Sequence, residues 1–169
     1  MSVEIKCPEF WTYNPGVIYG GKMYDLKLPL SYLSENERAP ILGELQIIIH
    51  EKIVPHLGYE SVNDVSIYYW MRGLTELFYN LDADVPFYII HGDDQGQPDY
   101  RFDKQDDNIY LSIIASELGG RADSNWQNIK FSYHEFKVAF YKFKEMLFLE
   151  IAKNDPDRVA SWNEALIVR

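Results

Sequence analysis

The sequence predicts an α+β fold: an antiparallel sheet of about four to five strands with helices packed on one side, in a single domain over residues 1–169. Three observations carry that expectation. Apolar residues recur at helical spacing in several long segments. Short β-rich runs bounded by turn residues lie between them. The chain of 169 residues has no internal repeat, low-complexity tract or Gly/Ser linker, so it falls within the usual span of one domain. The resulting order is strands, two helices, strands, two helices, and such segregation is the mark of α+β rather than α/β.

Each element has its own grounds. Residues 3–13, "VEIKCPEFWTY", are strand-like, with Pro8 forcing an edge or a bulge because proline cannot donate to a ladder. "NPG" and "YGG" supply turns. "KMYDLKLPL" alternates Met23, Leu26 and Leu28 imperfectly and predicts a second strand. "SENE" reads as a capping box, Ser34 with Glu37, while Pro40 offers an alternative first helical position. Ile41, Leu45, Ile48, Ile49 and Ile53 then recur at helical spacing, and Pro55 and Gly58 close that segment. Ser61 with Asp64 opens the next helix, whose stripe runs through Ile67, Trp70, Met71, Leu74, Leu77 and Phe78 to Leu81.

The period then changes. "VPFYIIHG" at 85–92, "PDYRFDK" at 98–104, "DNIYLSIIAS" at 107–116 and "QNIKFSY" at 127–133 predict an antiparallel meander, with "GGRADSN" at 119–125 its longest loop. Ser132 with Glu135 makes another capping box. Phe136, Ala139, Phe140, Phe143, Met146, Leu147 and Ile151 share a face of the helix that follows. Asp155 and Pro156 start a short terminal helix with Val159, Trp162 and Leu166 inward. It is expected to dock, because an undocked Trp162 leaves much apolar area in water.

Composition excludes several classes. Hydrophobic residues make up 47% of the chain and aromatics 15%, the opposite of a disordered segment. No apolar run approaches the roughly 18 residues of a membrane helix, and the charged start "MSVEIKCPEF" lacks an apolar signal segment. These features lead to the expectation of a cytoplasmic protein. Cys7 is the single cysteine, which rules out an intramolecular disulfide and a CxxC zinc cluster and leaves a small apolar filler on a strand.

The net charge is −10, and residues 60–107 hold 11 acids against three bases, a net −8. Phosphate backbones and anionic membranes repel such a surface, so neither direct nucleic-acid binding nor membrane binding is expected. A basic protein partner is attracted and its encounter accelerated. Solubility is the plain alternative reading of the same charge.

The candidate site is "HGDDQGQPDYRFDKQDD", residues 91–107. His91, Asp93 and Asp94 have ligand types that a divalent metal accepts, and a hydrolytic centre needs about three such ligands. Asp and Gly also favour turns on their own account. Three readings stay open: a turn alone, an acidic hairpin that binds a partner, and a metal or catalytic loop. The oxygen spacing does not fit a calcium loop of EF-hand type. His50, His56 and His134 have no i, i+4 partner of the HExxH kind and read as solvated or capping residues. "YGGK" at 19–22 lacks the spacing of a phosphate loop, and "LGGRADSNW" reads as a flexible loop before an anion site. Tyr68, Tyr69, Tyr79, Tyr88, Tyr100 and Tyr110 divide between the rim of the core and an interface, where Tyr beside Asp is a common mixture.

The segment "NIKFSYHEFKVAFYKFKEMLFLEI" resembles those of bacterial immunity proteins that neutralise polymorphic or contact-dependent growth-inhibition toxins. The resemblance covers a strand followed by a capped aromatic-rich helix, and elsewhere extends to character only: small, acidic, aromatic-rich. It implies a non-enzymatic inhibitor without cofactor that covers the cleft of a basic toxin, a nuclease domain, with carboxylates standing in for phosphate. The expected partner-binding residues are Asp93, Asp94, Asp99, Asp103, Asp106 and Asp107, with Tyr100 as an anchor. The alternative is a small metal-dependent hydrolase using His91, Asp93 and Asp94.

Overall fold

The computed structural model describes residues 2–16, 27–59 and 61–167. Those residues contain three α-helices and three antiparallel sheets. The second strand expected of "KMYDLKLPL" lies partly outside the described residues, and the "YGG" turn and the "YGGK" segment lie wholly outside them, as does Glu60; Leu28 forms a bridge with Thr12.

The N-terminal strand is split as Pro8 requires. β1 (Val3–Lys6) and β2 (Phe10–Trp11) fall on either side of Cys7-Pro8-Glu9 and join different sheets. Cys7 lies in the break itself, buried, with its thiol donating to the Glu9 carbonyl, and burial pushes its pKa up to about 12. A short 3-10 helix follows at Leu30–Ser34.

The segment after Pro40 is a correction. It forms strands, not a helix: β3 (Leu42–Gly43), β4 (Gln46–Ile49) and β5 (Lys52–Ile53). Ile47 and Ile49 are buried while Gln46 and Ile48 are half-buried, so the operative period is two rather than 3.6. Ile53, placed in the core by the helical reading, is 51% exposed. Three consecutive β-branched residues favour the pleated conformation, where their stiff side chains pack well. The hairpin between β4 and β5 turns at His50 and Glu51, both at positive φ, 51° and 66°. That two-residue geometry normally recruits Asn-Gly, and His-Glu carries no such signal.

Neither of the two early capping boxes caps a helix. Ser34 ends the 3-10 helix and donates its hydroxyl to the Ser31 carbonyl. Asp64, almost fully buried, accepts from the Ser61 amide at 3.1 Å and closes a turn before the helix proper. β6 (Val65–Ser66) intervenes, and α1 runs from Ile67 to Asp82 with the predicted stripe from Ile67 to Leu81 buried in full.

The meander forms as predicted: β7 (Phe87–Ile90), β8 (Asp99–Gln105), β9 (Asn108–Ile114) and β10 (Ile129–Ser132), in the spatial order β10-β9-β8-β7. Tyr100, Phe102, Ile109, Leu111, Ile113 and Phe131 point to the buried side. Ser132 caps α2 (Tyr133–Ala152) by accepting from the Glu135 amide at 3.2 Å. Phe136, Phe140, Phe143, Leu147 and Ile151 form its buried stripe, whereas Met146 lies off it and is 39% exposed. Phe136 is the hub of the joint, its ring centroid 5.1 Å from Phe78, 5.8 Å from Phe102 and 5.3 Å from Phe131.

α3 (Pro156–Ala165) starts at the Asp155 cap and docks as expected. Trp162 meets Tyr68 edge-on at 5.1 Å, and the Arg158 guanidinium donates to the carbonyls of Ala39 and Asn36. The mixed helix-and-strand character and a four-stranded antiparallel meander match the expectation, but the fold is not a single sheet with helices on one side. The remaining strands build two further three-stranded sheets, β1-β4-β5 and β2-β3-β6, rather than extending the meander. The cause is local: the breaks at Cys7–Glu9 and Glu44–Leu45 send each short strand to a different neighbour.

Candidate functional site

The loop 91–98 joins β7 to β8, and Gln97 organises it. Its side-chain oxygen accepts from the amides of Asp93 and Asp94 at 2.9 and 3.0 Å. Its side-chain nitrogen donates to the Gly58 carbonyl at 2.6 Å. Its backbone carbonyl accepts from the Ser116 hydroxyl at 2.5 Å. A Cβ on Gly120 would stand 2.0 Å from that carbonyl, so only glycine permits the approach of the 119–125 loop. The loop is therefore a braced structure, held by segments 57–58 and 116–120.

The braces decide which acids face solvent. Asp99 is buried: its carboxylate accepts from the Gly92 amide at 2.9 Å and lies 2.9 Å from the His91 ring. Tyr100 is 2% exposed, packs edge-on against Trp70 at 5.0 Å and donates to the Pro55 carbonyl. Both were expected on the partner surface; in the fold they lie buried, with their polar atoms bonded internally. Asp93 and Asp94 are exposed at the loop tip. The Tyr59 hydroxyl donates to Asp93 at 2.6 Å, and burial together with that carboxylate raises the Tyr59 pKa, which keeps the donor proton in place.

The other three expected acids lie elsewhere. Asp103 is held in a two-point pair by Arg101, at 2.8 and 2.7 Å, on the outer face of the sheet, where the guanidinium also covers Phe87. Asp106 and Asp107 form the turn between β8 and β9, at the far end of β8 from Asp93 and Asp94. Seven residues at roughly 3.3 Å each put about 20 Å between the two ends. The expected continuous acidic surface is thus divided, and the length of β8 is the reason: it sets the Asp106–Asp107 turn at the opposite end from Asp93 and Asp94.

Beside the Asp93–Asp94 tip runs a groove of about 510 Å³, lined by Glu44 and Gln46, residues 53–59, Ser61 and Val62, and Gly96–Pro98. A second hollow of about 410 Å³ shares His56, Gly96 and Pro98 with it and brings in Arg121, Asp123 and Ser124. His56 sits at the junction in the left-handed region, φ 66°, with its ring 3.6 Å from Asp123. The sequence reading missed this groove. Its walls come from segments far apart in sequence, and the Gly119-Gly120-Arg121 run, part of which lines the second hollow, carries no sign of a groove in the sequence alone.

The ligand set of the hydrolase alternative does not converge. Among the described residues no three His, Cys, Asp or Glu side chains stand together where they could hold a metal ion. His91 turns to Asp99, Asp93 to Tyr59, and Asp94 accepts from the Gln95 amide. Among the described residues, no helix is long and apolar enough to cross a membrane. No protein-family profile, no curated protein and no solved structure matches the chain.

Proposed function

We propose that the protein is an immunity-type inhibitor that binds a basic protein toxin, a nuclease domain in the bacterial cytosol, and blocks its phosphate-gripping cleft. The carrying observation is Asp93: an exposed carboxylate held by the Tyr59 hydroxyl at 2.6 Å on a braced loop, beside an open groove. A carboxylate fixed before encounter loses little freedom on binding and substitutes for a phosphate oxygen. Asp94 shares the tip, and Glu44 and Asp123 line the adjoining hollows. Asp106 and Asp107 form a separate acidic corner whose field adds to steering rather than to contact.

The test is capture of the partner from the native host, followed by kinetics with purified components. A basic protein whose nuclease activity is titrated one-to-one is the expected result. Asp93→Asn with Asp94→Asn is expected to slow association about tenfold and to flatten its salt dependence. An acidic partner, or kinetics unchanged by the double replacement, overturns the reading.

A further inference from the structure

We propose that a second copy of the chain pairs with this one along β1, antiparallel, about a two-fold axis through Ile5. Among the described residues β1 has β4 on one side and no strand on the other. The phase of the ladder fixes which groups face outward. His50 donates its amide to the Ser2 carbonyl, and the register continues as Glu4 opposite Ile48 and Lys6 opposite Gln46. Alternate residues of an antiparallel strand bond to the same neighbour, so Glu4 and Lys6 bond to β4. Val3 and Ile5 therefore turn their N–H and C=O groups toward the free edge.

That edge is self-complementary. With Ile5 opposite Ile5 of the second copy, the two residues exchange both of their main-chain hydrogen bonds, which is the phase left open. Glu4 then lies opposite Lys6 of the second copy, and the symmetry repeats the pair. Directly opposed side chains in such a position approach to about 4.5–5.5 Å, and opposite charges there are favourable. Within one chain Lys6 and Glu4 stand 3.7 Å apart with 45% and 59% of their side chains exposed, so both are free to turn to a partner. A shift of one residue sets Glu4 against Ile5 and loses both ion pairs.

The surroundings of the edge are incomplete without a neighbour. A groove of about 570 Å³ runs between β1 and α2, walled by Val3, Ile5, Val138, Phe143 and Met146. Val138 is 52% exposed although apolar. Glu135 lines the same groove, and its Oε2 is the one buried side-chain oxygen or nitrogen among the described residues that has no hydrogen-bond partner. An arriving strand covers the apolar wall beside that oxygen.

Sedimentation of the purified protein across the micromolar range tests the pairing. A concentration-dependent dimer is expected. Glu4→Lys alone and Lys6→Glu alone each place like charges opposite one another twice, and each is expected to weaken the dimer about tenfold. The combined Glu4→Lys and Lys6→Glu variant restores the pairs with reversed sign and is expected to recover the wild-type dissociation constant. Circular dichroism and thermal melts accompany each variant, since both side chains are solvent-facing and the fold should be unchanged. Hydrogen exchange supplies a second readout: the Val3 and Ile5 amides are expected to be protected in the dimer and to exchange quickly on dilution. A monomer at every concentration overturns the proposal. So does a dimer indifferent to the single replacements, or a correctly folded double variant that stays monomeric.

Discussion

The side-chain amide of Gln97 donates to the Gly58 carbonyl at 2.6 Å while its oxygen accepts from the amides of Asp93 and Asp94. A single buried carboxamide thus ties the acidic tip to the wall of the groove. Nearly all of its hydrogen-bonding capacity is used in doing so.

Replacing that carboxamide tests the brace. Gln97→Ala leaves two amides and a carbonyl to find water, and the expected cost is roughly 1–3 kcal/mol. Urea denaturation measures it. Hydrogen exchange should rise at Asp93 and Asp94 more than in β8 and β9, because the loop loosens while the ladder stays.

Tyr100→Phe separates a core residue from a contact residue. The hydroxyl donates to the Pro55 carbonyl, and its loss should cost about 1 kcal/mol of stability. Affinity for a captured partner should not change. A large affinity loss without destabilisation would reinstate Tyr100 as an anchor.

Phe136 joins α2 to both α1 and the meander through Phe78, Phe102 and Phe131. Phe136→Ala removes a ring with no exposed surface, and the expected cost is roughly 3–5 kcal/mol. Chemical denaturation gives the value. Phe148→Ala, at a partly buried position on the same helix, should cost distinctly less.

Asp82 links the end of α1 to the start of α2, accepting from Tyr133 and Lys137, each at 2.6 Å. Partial burial pushes its carboxyl up, but the hydrogen bonds from Lys137 and Tyr133 outweigh that and hold it below its ordinary 3.8. A carboxyl with a depressed folded-state pKa stabilises the fold above the unfolded value, and the stabilisation fades as pH falls through the folded one. Asp82→Asn should therefore cost about 0.5–1 kcal/mol at neutral pH, a modest figure because the pair is half in solvent. The difference from wild type should persist down to pH 3.8 and close below it. Urea melts on either side of that pH check the closure.

The resemblance noted at "NIKFSYHEF" and the acid count both pointed to an inhibitor, but neither could place the acids. Asp93 to Asp107 are neighbours in sequence and separate in space, since Asp99 is buried against His91 and Gly92, Asp103 is paired with Arg101 further along β8, and Asp106 stands at the opposite turn. The groove with His56, Asp123 and Arg121 was illegible for the converse reason, its residues being distant in sequence and adjacent in space.

By itself the sequence determined what depends on short range. The stripe from Ile67 to Leu81, the Ser132 cap, the four strands of the meander and the break at Pro8 all follow from periods and stereochemistry that span a few residues. Tertiary structure decided what depends on neighbours. The Ile41–Ile53 segment satisfies a helical and a strand period at once, and pairing with β1 selected the strand by giving its main-chain groups partners. Likewise, whether a carboxylate greets solvent or serves the fold depends on which amides and hydroxyls the rest of the chain brings within about 3 Å of it.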